Sequence, residues 1–155
     1  MNRQPSPFTL SRRRLMALAA GMPLAALTRP AFAATDLTFD ELYSKVTVLG
    51  LEFSDKVKSL DGKPVTMGGF MAPPLKAEAN FFVLTEIPMA LCPFCSSDAD
   101  WPDNIVVIYL GDKQTFLPGG TRIAVEGRME VGSWVDPDTG FLSRLRLRDA
   151  RFWES

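Results

Sequence analysis

The sequence predicts a mainly β fold: a small, closed or partly closed five-stranded barrel with a short N-terminal helix, preceded by a cleaved signal peptide. Three observations carry this. Apolar and β-branched runs too short for helices recur after Leu60, separated by Gly, Pro and Asp turns. Glycines stand inside two of those runs, where a strand must bend or admit another backbone closely. The longest Ala- and Leu-rich stretch lies near the N-terminus and has the grammar of an export signal.

That signal comes first. Ser11-Arg12-Arg13-Arg14-Leu15-Met16 sets paired arginines, Arg12 and Arg13, before an apolar residue, the pattern of the twin-arginine route. Leu15 to Leu27 is apolar over 13 residues, broken only by Gly21 and Pro23. Crossing a bilayer takes about 20 residues, so the run does not span one. Ala31 and Ala33 flank Phe32 as the small-x-small site of a signal peptidase, which places cleavage before Ala34. The expected organisation is a signal peptide at 1–33, an N-terminal helix and lead-in at 34–59, and the β domain at 60–155. The expected location is the periplasm, with no stable membrane insertion once the signal is removed.

Along the mature chain, Thr38-Phe39-Asp40-Glu41 fits a capping box and predicts a helix from Thr38 to about Val46. Ser54 to Leu60 reads as one more helical turn. Leu60-Asp61-Gly62-Lys63 is a turn in which Gly62 supplies the positive φ. Pro64–Met71 is the first strand, with Gly68-Gly69 marking a bend, and Asn80–Thr85 is the second. Ile105–Leu110 (IVVIYL) is continuously apolar and so reads as a central strand buried on both faces. Thr121–Val131 alternates Ile123, Val125 and Met129 with polar residues and has Gly127 near its middle. Asp136-Pro137-Asp138-Thr139-Gly140 is a hairpin turn. Leu142–Trp153 closes the barrel, with Leu145 and Leu147 inward and Arg144, Arg146 and Arg148 outward.

Several of these segments also carry a resemblance. LDGKPVTMGGFMAPPL, FFVLT, the CPFC loop, TRIAVEGRMEVG and SRLRLRDARFW are together similar to a family of small exported bacterial proteins of uncharacterised function. The match rests on LDGK-x-V-x-x-x-G and V-x-G-R-x-E-V-G and covers about Leu60 to Trp153. It implies an OB-like barrel. It also implies an accessory role beside ABC-type transport or metal-handling systems.

Charge and composition exclude some functions. The chain has 17 Lys and Arg against 18 Asp and Glu. Five of the basic residues and no acidic one lie in the signal, so the mature chain carries twelve against eighteen, a net charge of −6. That balance speaks against nucleic acid and anionic membrane surfaces as partners. The absence of histidine removes Ser-His-Asp and Cys-His catalysis and every His-containing zinc site.

The chemistry then falls to Cys92-Pro93-Phe94-Cys95, which holds both cysteines. A thiol–disulfide oxidoreductase would need Cys92 at the start of a substantial helix. The following SSDADWP lacks apolar helical periodicity and meets Pro102, and Asp98 and Asp100 would raise a nearby thiol pKa. A metal site would add Asp98, Asp100 and Asp103 to Cys92 and Cys95 for Zn, or Met67, Met71 and Met89 for Cu(I). A structural disulfide between Cys92 and Cys95 suits an oxidising compartment. Trp101-Pro102 is expected to pack the loop on the barrel mouth. Arg144, Arg146, Arg148 and Arg151 read as a solvated stripe paired with Glu126 and Glu130. Phe81, Phe82, Phe141, Phe152 and Trp153 read as core and edge packing. The functional expectation is a periplasmic binding or accessory module, its Cys92/Cys95 loop turned to an envelope protein or transporter. The alternatives are a CPFC oxidoreductase and a disulfide that is structural only.

Overall fold

The computed structural model describes residues 33–47, 50–73, 80–89 and 101–155. In chain order these form β1 (Thr35–Asp36), a 3-10 turn (Phe39–Glu41), β2 (Tyr43–Thr47), β3 (Gly50–Phe53) and helix α1 (Asp55–Ser59). There follow β4 (Pro64–Met71), β5 (Phe81–Thr85), β6 (Ile105–Leu110), β7 (Arg122–Val135) and β8 (Leu142–Glu154). The fold is mainly β, and the five strands expected from the sequence are β4 to β8.

Their pairings run in a circuit. β4 pairs antiparallel with β5 and β5 with β6; β6 pairs parallel with β8, β8 antiparallel with β7, and β7 antiparallel with β4. β1 lies parallel to the start of β4, Thr35 opposite Val65, and Leu37 extends the contact by donating its N–H to the Thr66 carbonyl. β2 and β3 make a separate antiparallel pair.

Burial explains the strand types. Every residue of β5 and β6 is buried, as continuous apolar runs require when both faces are covered. β4 and β7 alternate instead, with Val65, Met67 and Met71 of β4 and Ile123, Val125 and Met129 of β7 all inside. Across that pair large residues meet small ones: Val65 lies opposite Gly127 and Gly69 opposite Ile123. A Cβ on Gly69 would stand 2.7 Å from the Thr85 carbonyl oxygen, and one on Gly127 would stand 2.9 Å from Cβ of Ala150. The glycines are therefore sites of close approach. β4 registers with β7 from Pro64 to Phe70 and with β5 only at Phe70 and Met71, so it passes from one neighbour to the other at this pair.

β8 carries a bulge. Arg148 and Arg151 face Arg128 and Glu126 of β7, and Leu147 and Ala150 face Ile108 and Leu110 of β6, so both neighbours count one extra residue in β8. Asp149 lies there at φ 51°, a left-handed backbone that Asp adopts more readily than most residues. A second shift, between Val131 and Trp134 of β7, has Gly132 at φ 114°. It turns the end of β7 towards Tyr109 of β6, whose ring meets that of Trp134 edge-on at 5.4 Å.

The predicted helix from Thr38 to about Val46 is corrected. The Glu41 carboxylate does accept the Thr38 N–H at 3.1 Å, but the turn is 3-10 and ends at Glu41, and Tyr43–Thr47 is a strand. Tyr43, Val46 and Thr47 are β-branched or aromatic residues that favour a pleated surface over a helix. The α-helix lies at Asp55–Ser59, within the predicted Ser54–Leu60 turn. Ser54 caps it, its Oγ accepting from Val57 N–H at 3.1 Å and donating to the Glu41 carbonyl at 2.6 Å.

Candidate functional site

At the end of β6 the apolar run contains one polar-tipped residue, Tyr109. Its ring stacks on Phe81 of β5 at 5.2 Å, and Phe81 leans on Phe141 at 5.4 Å. The Tyr109 hydroxyl is enclosed and, among the described residues, has no hydrogen-bond partner of good geometry. Burial, and after it the Asp136 carboxylate, pushes its pKa well above the ordinary tyrosine range, so it keeps its proton.

The outward side of β8 supplies the cations. The Arg148 guanidinium lies 4.4 Å from the Tyr109 ring centre and 4.1 Å from that of Trp134, and Arg146 lies 5.2 Å from Trp134. Glu130 of β7 gathers three arginines: Arg146 Nε at 2.9 Å, Arg128 Nη1 at 3.0 Å and Arg148 Nε at 3.2 Å. Burial alone would raise the Glu130 carboxyl, but the hydrogen bonds from Arg146 and Arg148 outweigh it and hold the pKa below the ordinary value. Arg128 also bonds Asp149, the first cause of its raised pKa.

Of the expected stripe, Arg146 and Arg148 pair with Glu130 and Arg151 with Glu126, whereas Arg144 donates to the Leu51 carbonyl at 3.2 Å and lies over the Phe53 ring; nor is the stripe uniformly solvated. Arg146 is only 7% exposed, and its Nη1 donates to the Gly132 carbonyl at 2.8 Å. The reason is the turned end of β7, which lays Trp134 beside the two guanidiniums.

The β7–β8 hairpin closes the arrangement. Asp136 is buried, and its Oδ1 accepts the N–H groups of Asp138 at 2.8 Å and Thr139 at 3.2 Å. The turn is completed by Gly140 N–H donating to the Asp136 carbonyl at 2.7 Å, with Gly140 at φ 71°. One carboxylate oxygen of Asp136 is thus committed to the turn and the other is not. Asn80, just before β5, donates its Nδ2 to the Leu110 carbonyl at 2.8 Å. Asn80, Phe81, Tyr109, Trp134, Asp136 and Arg148 line a cavity of about 520 Å³ together with Asp138, Thr139 and Asp149. Aromatic walls with a few convergent polar groups are the usual makeup of a small-ligand site.

The structure places few of the residues singled out from the sequence here. Cys92, Cys95, Asp98 and Asp100, and Arg12, Arg13 and Ala31 of the signal, lie outside the described residues. Ala33 is exposed and stands two positions before β1. Met67, Met71 and Met129 are buried in the core, and among the described residues no group of three or more His, Cys, Asp or Glu could hold a metal. Asp103 borders a second, smaller cavity of about 220 Å³ with Asp40, Tyr43 and Glu86. Trp101 is 4% exposed, and its indole N–H donates at 2.9 Å to the hydroxyl of Tyr43 on β2, a strand outside the β4–β8 circuit. Phe81, Phe82, Phe141 and Phe152 are core, and Trp153 lies at the edge, 43% exposed.

Tyr109, Trp134, Asp136 and Asn80 do not stand out as a site in the sequence. One signal was available, a hydroxyl in an otherwise apolar run, because such a tip needs a partner when buried.

No family model and no curated protein matches the chain. Among solved structures it is similar to a DUF3299 family protein from Pseudomonas aeruginosa PAO1, at 15% identity and a TM-score of 0.51, over 80% of this chain and 99% of that one. At that identity the likeness concerns the fold alone.

Proposed function

We propose that the mature chain is an OB-like binding module of the periplasm, exported by the twin-arginine route, that holds a ligand rather than transforming one. The observation that carries this reading is the cavity where Tyr109, Trp134, Asp136 and Arg148 converge. The OB-like assignment is supported by the strand order, a five-stranded circuit in which the third and fifth of the strands β4–β8 are parallel. Such barrels bind ligands on the second and third strands and the loops beside them. Here β5 and β6 are buried throughout, so a stacked single strand of nucleic acid has no platform, while the cavity beside the β7–β8 loop is accessible. The acidic mature chain agrees with that.

In this proposal the Cys92/Cys95 loop is the element turned to a partner, an envelope protein or transporter of a transport or metal-handling system. The anchoring of Trp101 on Tyr43 supports a loop held at its far end. Native mass spectrometry of the chain recovered from the periplasm tests the reading. The expected species starts at Ala34 and carries a small non-covalent adduct that is lost on Arg148→Ala. A bound Cu or Zn lost on Cys92→Ser would place metal handling in the loop, and an oxidised pair without metal would leave a structural disulfide there. A depressed Cys92 pKa with a reduction potential between about −120 and −270 mV, and no adduct, would replace the binding module by an oxidoreductase.

A further inference from the structure

We propose that the cavity takes a small zwitterion, a molecule of amino-acid or dipeptide size that carries one carboxylate and one ammonium. The inference rests on the binding-module reading and names the ligand class of that site.

The charges of the lining are the first ground. The cavity is lined by one guanidinium, Arg148, and three carboxylates, Asp136, Asp138 and Asp149. A ligand that is only anionic meets the three carboxylates, and one that is only cationic leaves the Arg148 donors unused and stands beside their charge. A ligand with one carboxylate and one ammonium uses both signs.

The second ground is which groups are already committed. Glu130 takes Arg148 through Nε, and among the described residues the two Nη groups make no hydrogen bond. They form a planar pair of donors matched to a carboxylate. Arg148 is held by two aromatic rings, so little side-chain freedom is lost when it binds. Asp136 is fixed by the turn through Oδ1, and its buried carboxylate lies beside the Tyr109 hydroxyl, a negative charge in the cavity wall that suits an ammonium.

The third ground excludes the main competitors. The Tyr109 ring has Arg148 near it and Phe81 stacked against it, and Trp134 is occupied by the same guanidinium. A sugar would find no free Tyr109 face to stack on, and a quaternary ammonium would find its aromatic cage already filled by a cation.

Calorimetric titration of the mature chain tests this, using the free amino acids, glycyl-leucine, maltose, sodium acetate and methylamine as probes. An amino acid or glycyl-leucine should bind, and its N-acetylated or amidated form should bind at least about tenfold more weakly. Arg148→Lys keeps the charge and loses the fork; Asp136→Asn keeps the turn acceptor and loses the charge. Each should weaken the zwitterion at least about tenfold with the far-ultraviolet dichroism unchanged. Binding of maltose, acetate or methylamine instead, weakened by the same variants, would overturn the zwitterion and leave the binding module standing. If no probe binds, or binding is indifferent to both variants, the zwitterion and the cavity both fail as the site.

Discussion

Neighbouring glycines in β4 should respond to alanine with opposite signs. At Gly69 a Cβ would meet the Thr85 carbonyl oxygen at 2.7 Å and Leu84 Cγ at 3.0 Å. Carbon–oxygen contacts settle at about 3.3 Å or more, so β4 would have to withdraw by about 0.6 Å. The pairing it would withdraw from is short, since β4 registers with β5 only at Phe70 and Met71. Overpacking of this kind costs about 1–3 kcal/mol. The loss of chain freedom in the unfolded state returns about 0.4–1 kcal/mol, so Gly69→Ala should be destabilising by about 1–2 kcal/mol. At Gly68 the nearest atoms are Arg122 Nη2 at 3.8 Å and the Ile123 carbonyl oxygen at 4.0 Å, both ordinary contacts. There only the entropic gain remains, and Gly68→Ala should stabilise by about 0.4–1 kcal/mol. Urea unfolding reads both. With a slope of about 1–3 kcal/mol per molar, the midpoint should fall by roughly 0.5–1 M for Gly69→Ala and rise by a few tenths for Gly68→Ala. Equal shifts of the same sign would refute the close approach of β4 and β5.

Two further outcomes concern the polar contacts. Glu130→Gln removes the charge shared by Arg128, Arg146 and Arg148 and should cost about 1.5–3 kcal/mol at neutral pH. Because the folded Glu130 pKa is depressed, that contribution is complete above the unfolded value of about 4.3 and is lost as the pH falls through the folded one. Stability curves of wild type and variant should therefore converge on acidification, and a constant gap would show that the charge is not what matters. Tyr43→Phe and Trp101→Phe each break the hydrogen bond between them, and a double-mutant cycle by thermal melting should return a coupling of about 0.5–1.5 kcal/mol. Additive effects would show that the bond contributes nothing.

Much of the fold could be read from residue pattern because β4 to β8 obey local rules. IVVIYL is too short and too apolar for anything but a strand buried on both faces, and its bounds agree with the structure residue for residue. The Asp136–Gly140 turn likewise declares itself through its own residues. Thr38–Val46 misleads because a capping box constrains only the first turn, and beyond Glu41 the backbone is governed by pairing with Gly50–Phe53. β1, two residues long, exists through its contact with β4 and carries no pattern of its own. The cavity was hidden for a related reason. Asp136 looks like turn chemistry and Trp134 like an ordinary strand residue, and it takes the two register shifts in β7 and β8 to bring them to Tyr109. Arg146 illustrates this: simple alternation puts it outside, yet the turned end of β7 buries it.

Asp149 acts on β8 as a one-letter insertion acts on a reading frame. Upstream of it, Leu145 and Leu147 are buried; downstream, Ala150 and Phe152 are buried, and the parity of the inward positions has changed from odd to even. The last stretch of the strand is in phase because the bulge absorbs the extra residue. Flattening the bulge with Asp149 still in the strand would turn Arg151 and Trp153 inward and Phe152 out to water, whereas deleting Asp149 would lose its ion pair to Arg128 and leave a plain alternation in which Ala150 and Phe152 stay inside. What this point of the chain must keep is therefore the agreement between residue count and bulge, and a left-handed backbone at φ 51° for as long as the extra residue stands there.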